Sequence, residues 1–172
     1  MWRLKTRRTG QFGSPLSDGQ TMMNELYNQR ILKLAADIRH IGTLDALEGA
    51  KIARADAQSR LCGSKVHVEL SLAEDGTVAA FAHEVEACAL GQASSSVMAR
   101  EIIGASPQEL RAVGAAMRAM LKQDGAPPQD SERGGRWSDL EVLEPVREFK
   151  NRHASTLLTF DAVEDCLQQL GV

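Results

Sequence analysis

A chain of 172 residues with 43% hydrophobic and 25% charged side chains has the size and composition of one globular domain with its own core. A net charge of -3 and only 4% aromatic residues argue against nucleic acid as a partner, which needs a basic face or a stacking surface. No apolar run reaches the roughly 18 residues of a membrane-spanning helix, and the N-terminus lacks the apolar stretch of a secretory leader. The expected location is therefore the cytoplasm, with no membrane partner. Three cysteines at long, unequal spacings, Cys62, Cys88 and Cys166, do not make a disulfide framework, so they are expected as free thiols or metal ligands.

Residues 1–22 carry Arg3, Lys5, Arg7 and Arg8 against Asp18 alone, and Gly10, Gly13, Pro15 and Gly19 break any helix. This predicts a disordered basic tail before a single domain over 23–172. Asn24 then caps a helix with Tyr27, Ile31, Leu34 and Ile38 along one face, ending near Arg39 to Gly42. Residues 43–60 are small and mixed in polarity, which predicts a loop or a short helical piece. Val66, Val68, Leu70 and Leu72 alternate with Lys65, His67, Glu69 and Ser71, the period of a half-buried strand. Glu74-Asp75-Gly76 turns the chain, and Thr77 to Glu86 returns as the second arm of a hairpin that delivers Cys88 at its end.

A helix is predicted over Ser94 to Ile103, stopped by Gly104, with Ser94, Ser95 and Ser96 acting as helix-start caps. Ser106-x-x-Glu109 is a capping box, behind which Leu110, Val113, Met117, Met120 and Leu121 form an apolar face. Residues 124–136, rich in Gly and Pro, read as a surface loop. A short apolar piece through Val142, Leu143 and Val146 precedes a last helix with Phe160, Val163, Leu167 and Leu170 on one side. The sum is an α+β fold, a small antiparallel sheet of about three strands packed against several helices.

CGS at Cys62–Ser64 leading into an alternating strand, a hairpin, CALGQASSS at Cys88–Ser96 leading into a helix, and a late basic segment before a terminal helix together resemble a known family. It is that of the iron-sulfur scaffold proteins of the IscU, SufU and NifU N-terminal type, with a SufE/IscU-like fold, and the resemblance spans residues 24–170. It implies three cysteines and an aspartate near the first, holding zinc or a nascent iron-sulfur cluster. It also implies a cysteine desulfurase or other sulfur donor, and iron-sulfur acceptor proteins, as partners. Carried over by position, Cys62 and Cys88 match the first two family cysteines. Ser64 stands where the aspartate is expected, and Ser155, within Arg152-His153-Ala154-Ser155-Thr156-Leu157-Leu158, stands at the third cysteine.

A hydroxyl does not ionise near neutral pH, and soft metals favour thiolate or imidazole, so serine is a poor replacement at both positions. His153, close to the vacated third position, is the candidate third metal ligand beside Cys62 and Cys88. Cys166 lies three residues after Val163 and four before Leu170, on or beside the apolar face, and reads as a buried structural thiol. His67 and His83 read as members of a polar sheet face, and His40 as a residue of a helix C-terminus. Met98, Met117 and Met120 read as core filling.

Three functions follow from this reading. The leading one is a non-enzymatic assembly scaffold that binds iron, zinc or a labile cluster through thiolates and passes it to acceptors. The second is a persulfide acceptor in which Cys88 receives sulfur without stable metal. The third is an interaction module that keeps the fold without the chemistry.

Overall fold

The computed structural model describes residues 29–45, 50–129 and 135–172. The predicted N-cap at Asn24 and the basic tail over residues 1–22 lie outside them. Residues 29–36 are helical (α1) and lay Ile31 and Leu34 on the core. Next come β1 Ile52–Gln58, β2 Lys65–Leu72, β3 Val78–Glu86, α2 Ala89–Glu101 and α3 Pro107–Lys122, then a 3-10 segment at Ser138–Glu148 and the long α4 Lys150–Leu170. The strands form one antiparallel sheet in the order β1-β2-β3. This is the α+β architecture that the sequence predicts.

The alternation in β2 sends Val66, Val68 and Leu70 into the core against the helices and His67 to the opposite face. The β2–β3 turn is fixed by Asp75, whose Oδ1 accepts from the Thr77 N–H at 2.9 Å and from the Thr77 hydroxyl at 2.7 Å. At the start of α3 the Ser106 hydroxyl accepts from the Glu109 N–H at 3.1 Å, as the capping box requires. Met98, Met117, Met120 and Cys166 are all buried in the core.

Four expectations need correction. Residues 43–60 hold a strand rather than a loop or helix. In β1, Ala53, Ala55 and Ala57 face the core while Arg54, Asp56 and Gln58 face out, and the small methyls let α4 lie close over the strand. Beyond this edge, the Gln169 amide of α4 accepts from the Arg54 N–H at 3.3 Å and donates to the Arg54 carbonyl at 2.7 Å, taking the place of a further strand. His83 is not on the polar face: it pairs across from Val68, so the pleat turns it inward, where burial pushes its pKa down to about 4 and its Nε2 meets the Arg39 carbonyl at 2.8 Å.

The third correction concerns α2, which begins at Ala89, so Ser94, Ser95 and Ser96 are mid-helix rather than caps. They are buried because α2 is enclosed by its neighbours, and their small size permits it. Ser94 Oγ donates to the Thr156 carbonyl of α4 at 2.8 Å and Ser96 Oγ to the Asp37 carbonyl at 3.0 Å. The fourth is His40, which lies beyond the end of α1 in a left-handed conformation with φ 58° rather than in a helix terminus.

Candidate functional site

Cys62 and Cys88 belong to loops that leave the same end of the sheet. Gln58 pairs with Lys65 and Lys65 with Glu86, so the β1–β2 loop and the β3–α2 junction emerge beside one another. The β1–β2 loop closes tightly: the Ser59 N–H donates to the Ser64 carbonyl at 2.9 Å and the Gly63 N–H to the Ser59 carbonyl at 3.0 Å. Gly63 takes φ 70°, a left-handed conformation that costs glycine little, and Cys62 beside it is exposed at the loop tip. Cys88 is the N-cap residue of α2 and is half-buried.

Ser155 joins the two thiols. It sits in the second turn of α4, buried, with its Oγ 3.5 Å from Cys88 Sγ, and its hydroxyl also reaches toward the Cys62 sulfur. Its hydroxyl also donates to the Arg152 carbonyl at 3.0 Å. Ser64 Oγ lies 3.0 Å from Cys62 Sγ. Four positions singled out by sequence, Cys62, Ser64, Cys88 and Ser155, therefore meet at one end of the molecule.

The surroundings favour the anionic form of both thiols. The hydroxyl of Ser59, then the hydroxyl and N–H of Ser64, outweigh slight desolvation and bring the Cys62 pKa down to about 7. Ser59 was not singled out by sequence; its buried Oγ makes no other hydrogen bond among the described residues, which leaves it available to the Cys62 thiolate. Burial pulls Cys88 upward, but the Gly91 N–H, the Ser155 hydroxyl, the Leu90 N–H and the Arg152 charge together hold its pKa below the usual thiol value. These N–H groups belong to the first turn of α2, where no carbonyl partner lies within the helix.

His153 is not brought to the thiols. It lies two residues before Ser155, more than half a turn away around α4, buried, with its Nε2 3.2 Å from the Val146 carbonyl and 3.1 Å from the Arg147 carbonyl. That nitrogen is already occupied as a donor to backbone carbonyls, so it is not presented to the thiols. Among the described residues no three His, Cys, Asp or Glu side chains gather closely enough to hold a metal ion. The expected ligand set of Cys62, Cys88 and His153 is thus not assembled in this conformation. Cys166 is remote from this chemistry: burial, then the charges of Asp165, Glu69 and Asp56, push its pKa up to about 12.

Comparison with known proteins bears on this arrangement. The family model described as the NifU-like N terminal domain matches residues 26–154. The chain is 24% identical over 147 residues to the iron-sulfur cluster assembly scaffold protein IscU of Streptococcus pyogenes serotype M1, covering 86% of each chain. It superposes on the crystal structure of a NifU-like protein (N-terminal) from Brucella abortus with a TM-score of 0.77 and 52% identity, over 87% of this chain and 97% of that one. A third likeness, to FiSufU of the SUF system from Fervidobacterium islandicum AW-1, has a TM-score of 0.68 at 21% identity, over 84% and 98% of the two chains, and bears on the fold alone. With the family model covering most of its length, the chain belongs to the NifU-like N-terminal domain family.

Proposed function

We propose that this chain is an assembly scaffold for iron-sulfur clusters, on which Cys62 and Cys88 hold iron and sulfide as cargo and release them to acceptor proteins. The single observation that carries this reading is the approach of both thiols to Ser155, whose Oγ lies 3.5 Å from Cys88 Sγ. Thiolates suit iron and zinc, and both are favoured here, whereas the hydroxyls of Ser64 and Ser155 are weak donors. Two strong and two weak donors hold cargo loosely, which suits transfer better than storage.

A sulfur donor such as a cysteine desulfurase and iron-sulfur acceptors are the partners this role requires, and the cytoplasm its setting. No helix among the described residues is long and apolar enough to cross a membrane. Exposed Leu61 beside Cys62 and exposed Phe149 at the start of α4 offer apolar contact to such a donor. The chain acts as a template, with no catalytic group assigned.

Anaerobic reconstitution with ferrous iron and sulfide tests the reading. Weak, sub-stoichiometric occupancy is expected in the wild-type chain and none after Cys88→Ala; unchanged loading in that variant would remove Cys88 from the site.

The absence of a third nitrogen, sulfur or carboxylate ligand among the described residues also favours a second reading, sulfur acceptance without metal. A thiolate would attack the outer sulfur of a donor persulfide, forming a new S–S bond on this chain as the donor's S–S bond breaks and the donor leaves as thiolate. Persulfide formation that survives metal chelation, with no iron uptake, would favour this second reading over the first.

A further inference from the structure

Gly91 is the third residue of α2, where helix propensity favours alanine over glycine by roughly 1 kcal/mol. Its φ is not among the positive values of the chain, so no left-handed turn demands glycine there. Its surroundings do. A Cβ on Gly91 would lie 2.8 Å from Ala87 Cβ and 2.9 Å from the Ser155 carbonyl oxygen. Both separations are shorter than a carbon tolerates, and the second obstacle is α4 backbone, which has no rotamer to swing aside. The bare face of Gly91 is where the first turn of α2 seats on α4. One turn later, the Ser94 hydroxyl ties the same two helices through the Thr156 carbonyl at 2.8 Å.

The geometry points to Gly91 as a positioning residue that sets the α2–α4 spacing and so keeps Cys88 beside Ser155 and in reach of Cys62. This rests on the scaffold reading only for what the thiol pair does; the spacing itself is a statement about geometry. A side chain at Gly91 forces the N-terminus of α2 away from α4. Because Cys88 caps that turn, its sulfur moves with it. Gly114 in α3 supplies a matched contrast. A Cβ there meets Arg118 Nη1 at 3.2 Å, the far end of a flexible side chain, and otherwise only Phe160 at 3.9 Å.

Two measurements on the full chain test this: the yield of Cys62–Cys88 bridging by dibromobimane, located by peptide mapping, and an oxygen-free cobalt(II) titration read by thiolate charge-transfer absorption. Gly91→Ala is expected to lose most of the bridging and to weaken cobalt binding by about 10- to 100-fold, the scale on which supporting groups tune metal sites. Gly114→Ala is expected to keep wild-type values in both. If Gly91→Ala does not fold, Ala87→Gly with Gly91→Ala relieves the 2.8 Å contact and keeps the one to Ser155; it is expected to fold and still to bridge poorly.

Wild-type bridging in either Gly91→Ala chain, or failure of both to fold, would overturn the assignment. A wild-type chain that bridges but takes up no cobalt would defeat the scaffold reading and leave the spacing claim intact. One that does not bridge at all would defeat the spacing claim.

Discussion

Cys62 and Cys166 carry the same side chain in opposite settings, and the contrast shows how the fold divides its labour. At the sheet end, Cys62 is exposed on a tight loop whose hydroxyls and N–H groups bring its pKa to about 7. Under the sheet, Cys166 is sealed between α4 and β2, its sulfur 3.6 Å from the Val68 carbonyl, and burial drives its pKa to about 12. The first setting prepares a ligand or nucleophile; the second makes a small apolar filler. Cys88 stands between them, half-buried yet held below the usual thiol value because the start of α2 supplies donors that the middle of α4 cannot.

The largest expected effect is on reactivity. A thiolate is the attacking form, so alkylation of Cys62 rises with pH and reaches half its maximum near pH 7, while Cys166 stays silent in the native chain. At neutral pH Cys62 is substantially thiolate while Cys166 is almost wholly protonated. Iodoacetamide labelling across pH with site-resolved mass spectrometry checks this, and comparable rates for the two thiols would erase the comparison.

A smaller effect separates core from site. Leu167, buried next to Cys166, should cost about 2–5 kcal/mol of stability when changed to alanine. Iron loading per folded molecule should not change. Urea unfolding and iron analysis on one preparation read both quantities; a loss of loading at full folding would mean that the core side of α4 tunes the site.

Much of this division is legible in the chain. The alternation of β2, the Asp75-Gly76 turn, the Ser106 cap and the placement of Cys166 on the apolar face of α4 all follow from local pattern, because each is decided by residues close in sequence. The pole formed by Cys62, Cys88 and Ser155 was legible through the family resemblance; the spacing of two cysteines alone does not reveal it.

What escaped depends on long-range packing. β1 shows alternation only through Ala53, Ala55 and Ala57, whose methyls carry little apolar signal, and their value lies in letting α4 approach. His83 takes its face from the register with Val68, which no single strand displays. His153 looks like a ligand by its nearness to Ser155, but helical geometry turns it toward the carbonyls of Val146 and Arg147. Ser59 joins the site only because the β1–β2 hairpin closes at Ser64, and recognising β1 is what would have found it.

The central claim is that Cys62, Cys88 and Ser155 form one site in which a hydroxyl occupies a ligand position. Ser155→Cys tests it most directly, by cobalt(II) titration under exclusion of air. The account predicts a third thiolate-to-cobalt bond, seen as stronger charge-transfer absorption, and binding tighter by at least about tenfold. Absorption and affinity equal to those of the wild-type chain would contradict it.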